Sequence, residues 1–156
     1  MSPFIRRLRD LIGNELLVLP SVAVLPRDAR GRVLLVRLID SGLWATIGGA
    51  VEPDEAPHEA ARREAREEAG VELALGPIRA VLGGPEYRLT YPNGDQTSYV
   101  VTVYDATVIR GIPRADGDET SAVAWWDTSG LPYDQMSTLT RALLRDGGVA
   151  EEQVRC

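Results

Sequence analysis

The stretch GGAVEPDEAPHEAARREAREEAGV, Gly48 to Val71, carries six glutamates and one aspartate. Glu64, Glu67 and Glu68 lie three and four residues apart, the spacing at which helical side chains become neighbours and like charges repel. Pro57 suits a first helical position, where its missing N–H costs nothing, and Gly70 suits the left-handed residue that ends a helix. The segment between them is therefore predicted as one helix. Ala61, Ala65 and Ala69 recur at i, i+4 and i+8, a stripe of small side chains that lets the helix approach a sheet closely. At roughly 100° per residue the three glutamates centre on the adjoining face, with Glu68 nearest the stripe. Acids so placed line a cavity beside a packed seam, and a bound cation would offset their repulsion. The competing reading is a solvated helix whose Arg62, Arg63 and Arg66 neutralise the acids in i, i+4 pairs. The only histidine, His58, falls on the alanine side of the helix and is given no catalytic role.

Working outward, GLWATIGGAV ahead of the helix reads as a short strand running into the Gly48–Gly49 pair. Before it, LLVLPSVAVLP and RVLLVRLI are apolar, β-branched runs that read as two strands joined by RDARGR. After Gly70, strands are predicted over 71–75, 78–82, 87–91, 98–109 and 122–126. Asn93-Gly94 in YPNGDQ signals a tight hairpin between two of them. PYDQMSTLTRALLRDGG, opening at Pro132 and closing in Gly147-Gly148, reads as a terminal helix. Near the start, Phe4, Leu8 and Leu11 recur at helical spacing, so residues 1–13 read as an amphipathic helix. It either packs on its own domain or forms a homodimer contact. Trp44 is assigned to the core. No repeat or long linker divides the chain, so residues 1–156 read as one domain. The predicted class is α+β, a sandwich with helices on the faces of a mixed β-sheet.

Bulk composition narrows the function classes. The 156 residues hold 17 Lys and Arg against 23 Asp and Glu, for a net charge of −6. That balance argues against a nucleic-acid polymer as partner, which needs many cations against phosphates. A small phosphorylated ligand stays compatible, because a bound cation inverts the local field. Cys156 is the only cysteine, so neither a disulfide nor a cysteine metal site is expected. No apolar run is long enough for a membrane span and the N-terminus lacks a signal-peptide pattern, so a cytoplasmic location is expected.

From Gly49 to Val71 the residues follow a fixed pattern: Gly, five residues, Glu55, seven residues, Arg63-Glu64-Ala65, one residue, Glu67-Glu68, one residue, Gly70-Val71. This resembles the signature box of the Nudix hydrolases, MutT-like enzymes, with Gly49, Glu55, Arg63, Glu64, Glu67, Glu68 and Gly70 at the required places. Two positions depart from the common pattern: Ile47 stands where a proline is frequent, and Ala56 where a Ser or Thr cap is frequent. The resemblance implies a Nudix α/β/α sandwich. It also implies a pyrophosphohydrolase, dependent on Mg²⁺ or Mn²⁺, that cleaves a nucleoside diphosphate linked to another moiety by water attack on phosphorus. In that reading Glu67 and Glu68 are metal ligands, Glu64 is a ligand or the general base, and Arg63 orients the site, pairing with Glu55. Gly48 offers a backbone carbonyl to the metal. Glu119, in a loop outside the box, is the alternative base. Glu52, Tyr87 and Tyr91 are the candidates for contacting the nucleotide substrate. The alternative function is a non-catalytic nucleotide sensor on the same fold, against which the intact set of acids argues. A prenyl diphosphate isomerase would need a pocket cysteine, which Cys156 does not supply.

Overall fold

The computed structural model describes residues 1–149; Cys156 lies outside the described residues. Seven strands and three α-helices follow in the order α1 (Pro3–Ile12), β1 (Leu17–Pro26), β2 (Val33–Leu38), β3 (Trp44–Ala50), α2 (Pro57–Ala69), β4 (Glu72–Leu82), β5 (Arg88–Thr90), β6 (Gln96–Arg110), β7 (Thr120–Trp126) and α3 (Thr138–Asp146). The strands are ordered β4-β6-β1-β3-β2-β7, with β5 paired to β6. β1 runs parallel to β6 over ten registers, from Leu17↔Thr97 to Pro26↔Ala106. Its other partner, β3, is antiparallel, so the sheet is mixed as predicted.

The apolar runs at β1 and β2 are continuous rather than alternating because both faces of these strands are covered. On one face Leu25, Val33, Leu35 and Val103 pack with Ala142, Leu143 and Leu144 of α3. On the other, Val22, Val24, Leu34, Val36 and Ile47 pack with Ala60, Ala61, Ala65 and Ala69 of α2. Each of these four alanines is fully buried, so the small-residue stripe is the surface on which α2 meets the sheet. His58 is exposed. Trp44 lies edge-on to Trp126, with ring centroids 5.2 Å apart. Its neighbour Trp125 falls among the residues packed beneath α2.

Helix α2 begins and ends where Pro57 and Gly70 place it, Gly70 taking the left-handed conformation at φ 65°. Ala56 offers no side-chain cap, but Glu59 reaches back, its Oε2 accepting from the Ala56 N–H at 2.9 Å. Ile47, in place of the frequent proline, keeps β3 in its ladder opposite Val24 and is fully buried.

Three expectations shift. The strands predicted over 71–75 and 78–82 are one strand, β4, whose register slips between Leu75 and Ile78. At a sheet edge the Gly76-Pro77 pair is absorbed as an irregularity rather than ending the strand. The terminal helix starts at Thr138, not Pro132, because the Ser137 hydroxyl accepts from the Thr140 N–H and caps it there. Asn93-Gly94 sits in a five-residue loop, closed by Tyr91 N–H to the Asp95 carbonyl at 2.9 Å. Among the described residues no helix is long and apolar enough to cross a membrane.

Candidate functional site

A cleft of about 790 Å³ opens where β3 ends and α2 passes over the sheet. Gly48, Gly49 and Ala50 of β3, Arg63, Glu64, Glu67 and Glu68 of α2, Glu52, Tyr91 and Glu119 all line it. The structure thus brings together every predicted site residue except Tyr87. That residue is a correction. Its ring is buried in the core beneath α3, 3% exposed, and its hydroxyl donates to Asp146 Oδ2 at 2.7 Å. Pro85 opens a short 3₁₀ turn that draws Tyr87 inward, and the residue does not line the cleft.

Arg63 organises the acids. Its Nε donates to Glu55 Oε1 at 2.7 Å and one terminal nitrogen to Glu55 Oε2 at 3.0 Å, the predicted pair in two-pronged form. The same nitrogen also donates to the Ala50 carbonyl. The other terminal nitrogen bridges Glu64 Oε1 at 2.7 Å and Glu67 Oε2 at 3.1 Å. Hydrogen bonding from Arg63 holds Glu55 below its ordinary range, while the carboxylate partners raise Arg63 further. Glu55 also accepts from the Glu52 N–H, which fixes the loop between β3 and α2.

Glu64 and Glu68 are 7% and 5% exposed. Burial raises Glu64 above its ordinary range despite the ion pair with Arg63, and the charges of Glu67 and Glu119 add to the rise. Glu68 is pushed up to about 9, by burial first and by the Glu64 charge second; the Gly48 N–H, donating to Glu68 Oε2 at 3.0 Å, offsets this only in part. Gly48 was expected to offer its carbonyl; in this structure it engages the site as a donor.

The glycine pair is required by close approach rather than by backbone angle, since neither residue has a positive φ. A Cβ at Gly48 would overlap the carbonyl oxygen of Val22 on β1, and one at Gly49 would overlap Glu64 Oε1. The helix acids reach the strand because nothing projects from it.

One supporting segment escaped the sequence reading. Asp116 Oδ1 accepts from the N–H groups of Asp118, Glu119 and Thr120, between 2.8 and 3.0 Å. Thr120 Oγ1 in turn donates to the Glu68 carbonyl at 2.8 Å, tying the Glu119 loop to α2. The spacing Asp-Gly-Asp-Glu-Thr, an Asx-type turn signal, is the clue that marks it.

The donor set fits a hard divalent cation: crowded carboxylate oxygens, two of them on buried side chains that resist ionising alone. No three acidic or histidine side chains among the described residues converge on one point as they stand, because Arg63 and the Gly48 amide hold the oxygens concerned. Glu64, Glu67 and Glu68 are the residues that would hold an ion, with Arg63 yielding contacts to it.

The raised carboxylates set a pH dependence. A carboxyl raised in the folded state contributes stability in full below about pH 4.5 and loses it as pH climbs through the folded value, about 9 for Glu68. Metal-free protein is therefore expected to melt at falling temperature from pH 6 to pH 9. Added Mg²⁺ is expected to raise the Tm more at pH 8.5 than at pH 6. At a hundredfold excess over Kd the gain is about 2.7 kcal/mol, and roughly 2–4 °C follow from each kcal/mol in a chain of this size. Thermal melts with EDTA and with Mg²⁺ check this; equal shifts at both pH values would contradict it.

Comparisons with known proteins place the chain in a family. A family profile described as "NUDIX domain" matches residues 18–146. A nucleoside triphosphatase NudI of Salmonella heidelberg is 33% identical over 121 residues, covering 73% of this chain and 86% of the relative. A putative 8-oxo-dGTP diphosphatase of Bacillus subtilis is 33% identical over 101 residues, 65% of this chain and 61% of that protein. Among solved structures, a MutT NUDIX hydrolase from Burkholderia pseudomallei superposes with a TM-score of 0.69 at 26% identity, covering 83% of this chain and 98% of the other.

Proposed function

Since the chain belongs to the NUDIX domain family of hydrolases, we propose that it is a divalent-metal-dependent nucleoside triphosphate pyrophosphohydrolase. The observation that carries the proposal is that Glu64, Glu67, Glu68 and Glu119 line one cleft, with two of the four carboxylates buried. The triphosphate class is favoured by the relatives' described activities. Mg²⁺ or Mn²⁺, held by Glu64, Glu67 and Glu68, would supply charge neutralisation at the phosphate oxygens.

The chain's own groups divide the remaining work. Water oxygen bonds to one phosphorus and the P–O–P anhydride bond breaks, leaving a nucleoside monophosphate and pyrophosphate. The water's proton passes to a carboxylate in the cleft. Glu119 is our candidate for that base, because its loop is tied down by Asp116 and its charge is felt by both buried glutamates. Glu64 is the alternative, and its contact with Arg63 argues for a positioning part instead. Arg63 keeps the acids in register by linking α2 to the Glu55 loop and to the end of β3.

The test is turnover of a panel of nucleoside triphosphates with Mg²⁺ in ¹⁸O-labelled water, read by mass spectrometry. Label in one product and pyrophosphate release are expected. Absence of turnover with every triphosphate, while the protein stays folded and Mg²⁺ raises its Tm, would reject the proposal.

A further inference from the structure

We propose that helix α1, which precedes the family-matched residues 18–146, is a wall of the substrate cleft and holds the nucleoside end of the substrate. The inference rests on the nucleotide reading above and adds a recognition element to it.

Placement comes first. Ile5 and Arg9 of α1 face the same cleft as the acids of α2. On the acid side Glu68 engages β3 by accepting from the Gly48 N–H and Arg63 by donating to the Ala50 carbonyl, whereas Arg9 engages the start of β6 through Gln96 and Thr97. One strand, β1, lies between β3 and β6. Gly48 and Ala50 pair with Ala23 and Ser21 of β1, whereas Thr97 pairs with Leu17. Two strand spacings across and four to six residues along therefore set the backbone anchors of the two walls roughly 16–22 Å apart. A nucleotide with its phosphates at the acids would carry its base toward α1.

The chemistry of the second wall differs from that of the first. Ile5, Leu19, Tyr91 and Tyr99 supply aliphatic and aromatic surface there, and the two tyrosine hydroxyls lie 2.6 Å apart. Such a surface suits the flat face of a nucleobase better than a phosphate.

How α1 is held also matters. None of its residues is buried, so apolar packing contributes little to its position. Arg9 does the holding. Its guanidinium donates to the carbonyls of Gly13, Glu15 and Gln96 and to Thr97 Oγ1, with Asp95 at 3.7 Å. The side chain is only 9% exposed, and its donors face protein acceptors. Arg9 is therefore a positioning residue for the wall rather than a phosphate ligand.

The experiment uses the full chain with Cys156→Ser, carrying either Ile5→Cys or Leu11→Cys; Leu11 is 82% exposed and does not line the cleft. Alkylation of each thiol is timed by mass spectrometry with and without Mg²⁺ and a non-hydrolysable nucleoside triphosphate analogue. The analogue is expected to slow the Ile5→Cys reaction about tenfold or more and to leave Leu11→Cys within about twofold. Equal rates at Ile5→Cys with and without analogue, while the analogue raises the Tm, would overturn the proposal and leave the enzymatic reading standing. If no nucleotide raises the Tm, the nucleotide reading fails and the proposal falls with it. As a second arm, Arg9→Ala is expected to raise KM about tenfold with kcat nearly unchanged, and Arg9→Lys to recover part of it. An unchanged KM would count against the positioning role of Arg9, and an unfolded Arg9→Ala leaves the thiol arm decisive.

Discussion

Glu68→Gln is expected to lower kcat/KM by about a thousandfold or more while leaving the metal-free protein at least as stable as the parent. The two effects have one cause. Glu68 is a buried carboxylate that accepts one backbone N–H and sits against the charge of Glu64, so ionising it in the absence of a cation is unfavourable. The amide keeps the shape and an acceptor for Gly48 and removes the charge. Stability improves where the carboxylate would be ionised, and the affinity for Mg²⁺ drops. Steady-state kinetics and melts at pH 8 in EDTA check both halves. A variant retaining a tenth of the activity, or losing several degrees of Tm in EDTA, would show that Glu68 belongs to the packing rather than to a cation site.

The adjacent glycines give the second large effect, with opposite consequences at neighbouring positions. A methyl group at Gly48 meets the Val22 carbonyl, a backbone atom in the paired strand, which can move only if β1 and β3 part. Gly48→Ala is expected to cost about 3 kcal/mol, the upper end for overpacking, and roughly 6–12 °C of Tm. A methyl group at Gly49 meets only the Glu64 carboxylate, the far end of a flexible side chain. Gly49→Ala is therefore expected to keep its Tm within a few degrees and to lose about a hundredfold or more in kcat/KM, because Glu64 is pushed from its place. Urea titrations and kinetics on both variants test the contrast; equal stability losses would refute it.

These glycines show why part of the site was legible in the sequence. Along α2 the chemistry is local: Pro57, the alanine stripe, the acids and Gly70 all act within one helix, where 3.6-residue periodicity fixes which side chains share a face. The Glu55–Arg63 pair and the approach of β3 to the helix sit within the same short span. Sites assembled from distant segments were less accessible. Tyr87 stands among the candidates for contacting the nucleotide, but the turn at Pro85 sends its ring into the core. Arg9 reads in sequence as one of several arginines on the polar side of an amphipathic helix, and only folding reveals that it reaches β6. Asp116 carried a turn signal, yet its link through Thr120 to the Glu68 carbonyl depends on the placement of β7 beside α2. Residue type and spacing disclosed the acidic face of α2; the partner walls depended on which strands the sheet set side by side.

The long parallel ladder between β1 and β6 has a kinetic consequence. It pairs the beginning of the chain with its latter half; β3 beside it meets the acidic helix, and β6 within it anchors α1. Closing so large a loop is entropically costly, so this non-local pairing is expected to slow refolding, with the local helix α2 able to form ahead of the pocket. A nascent chain still lacking β6 has no completed cleft, however well its glutamate helix has formed. Catalytic competence should appear only with that final docking step.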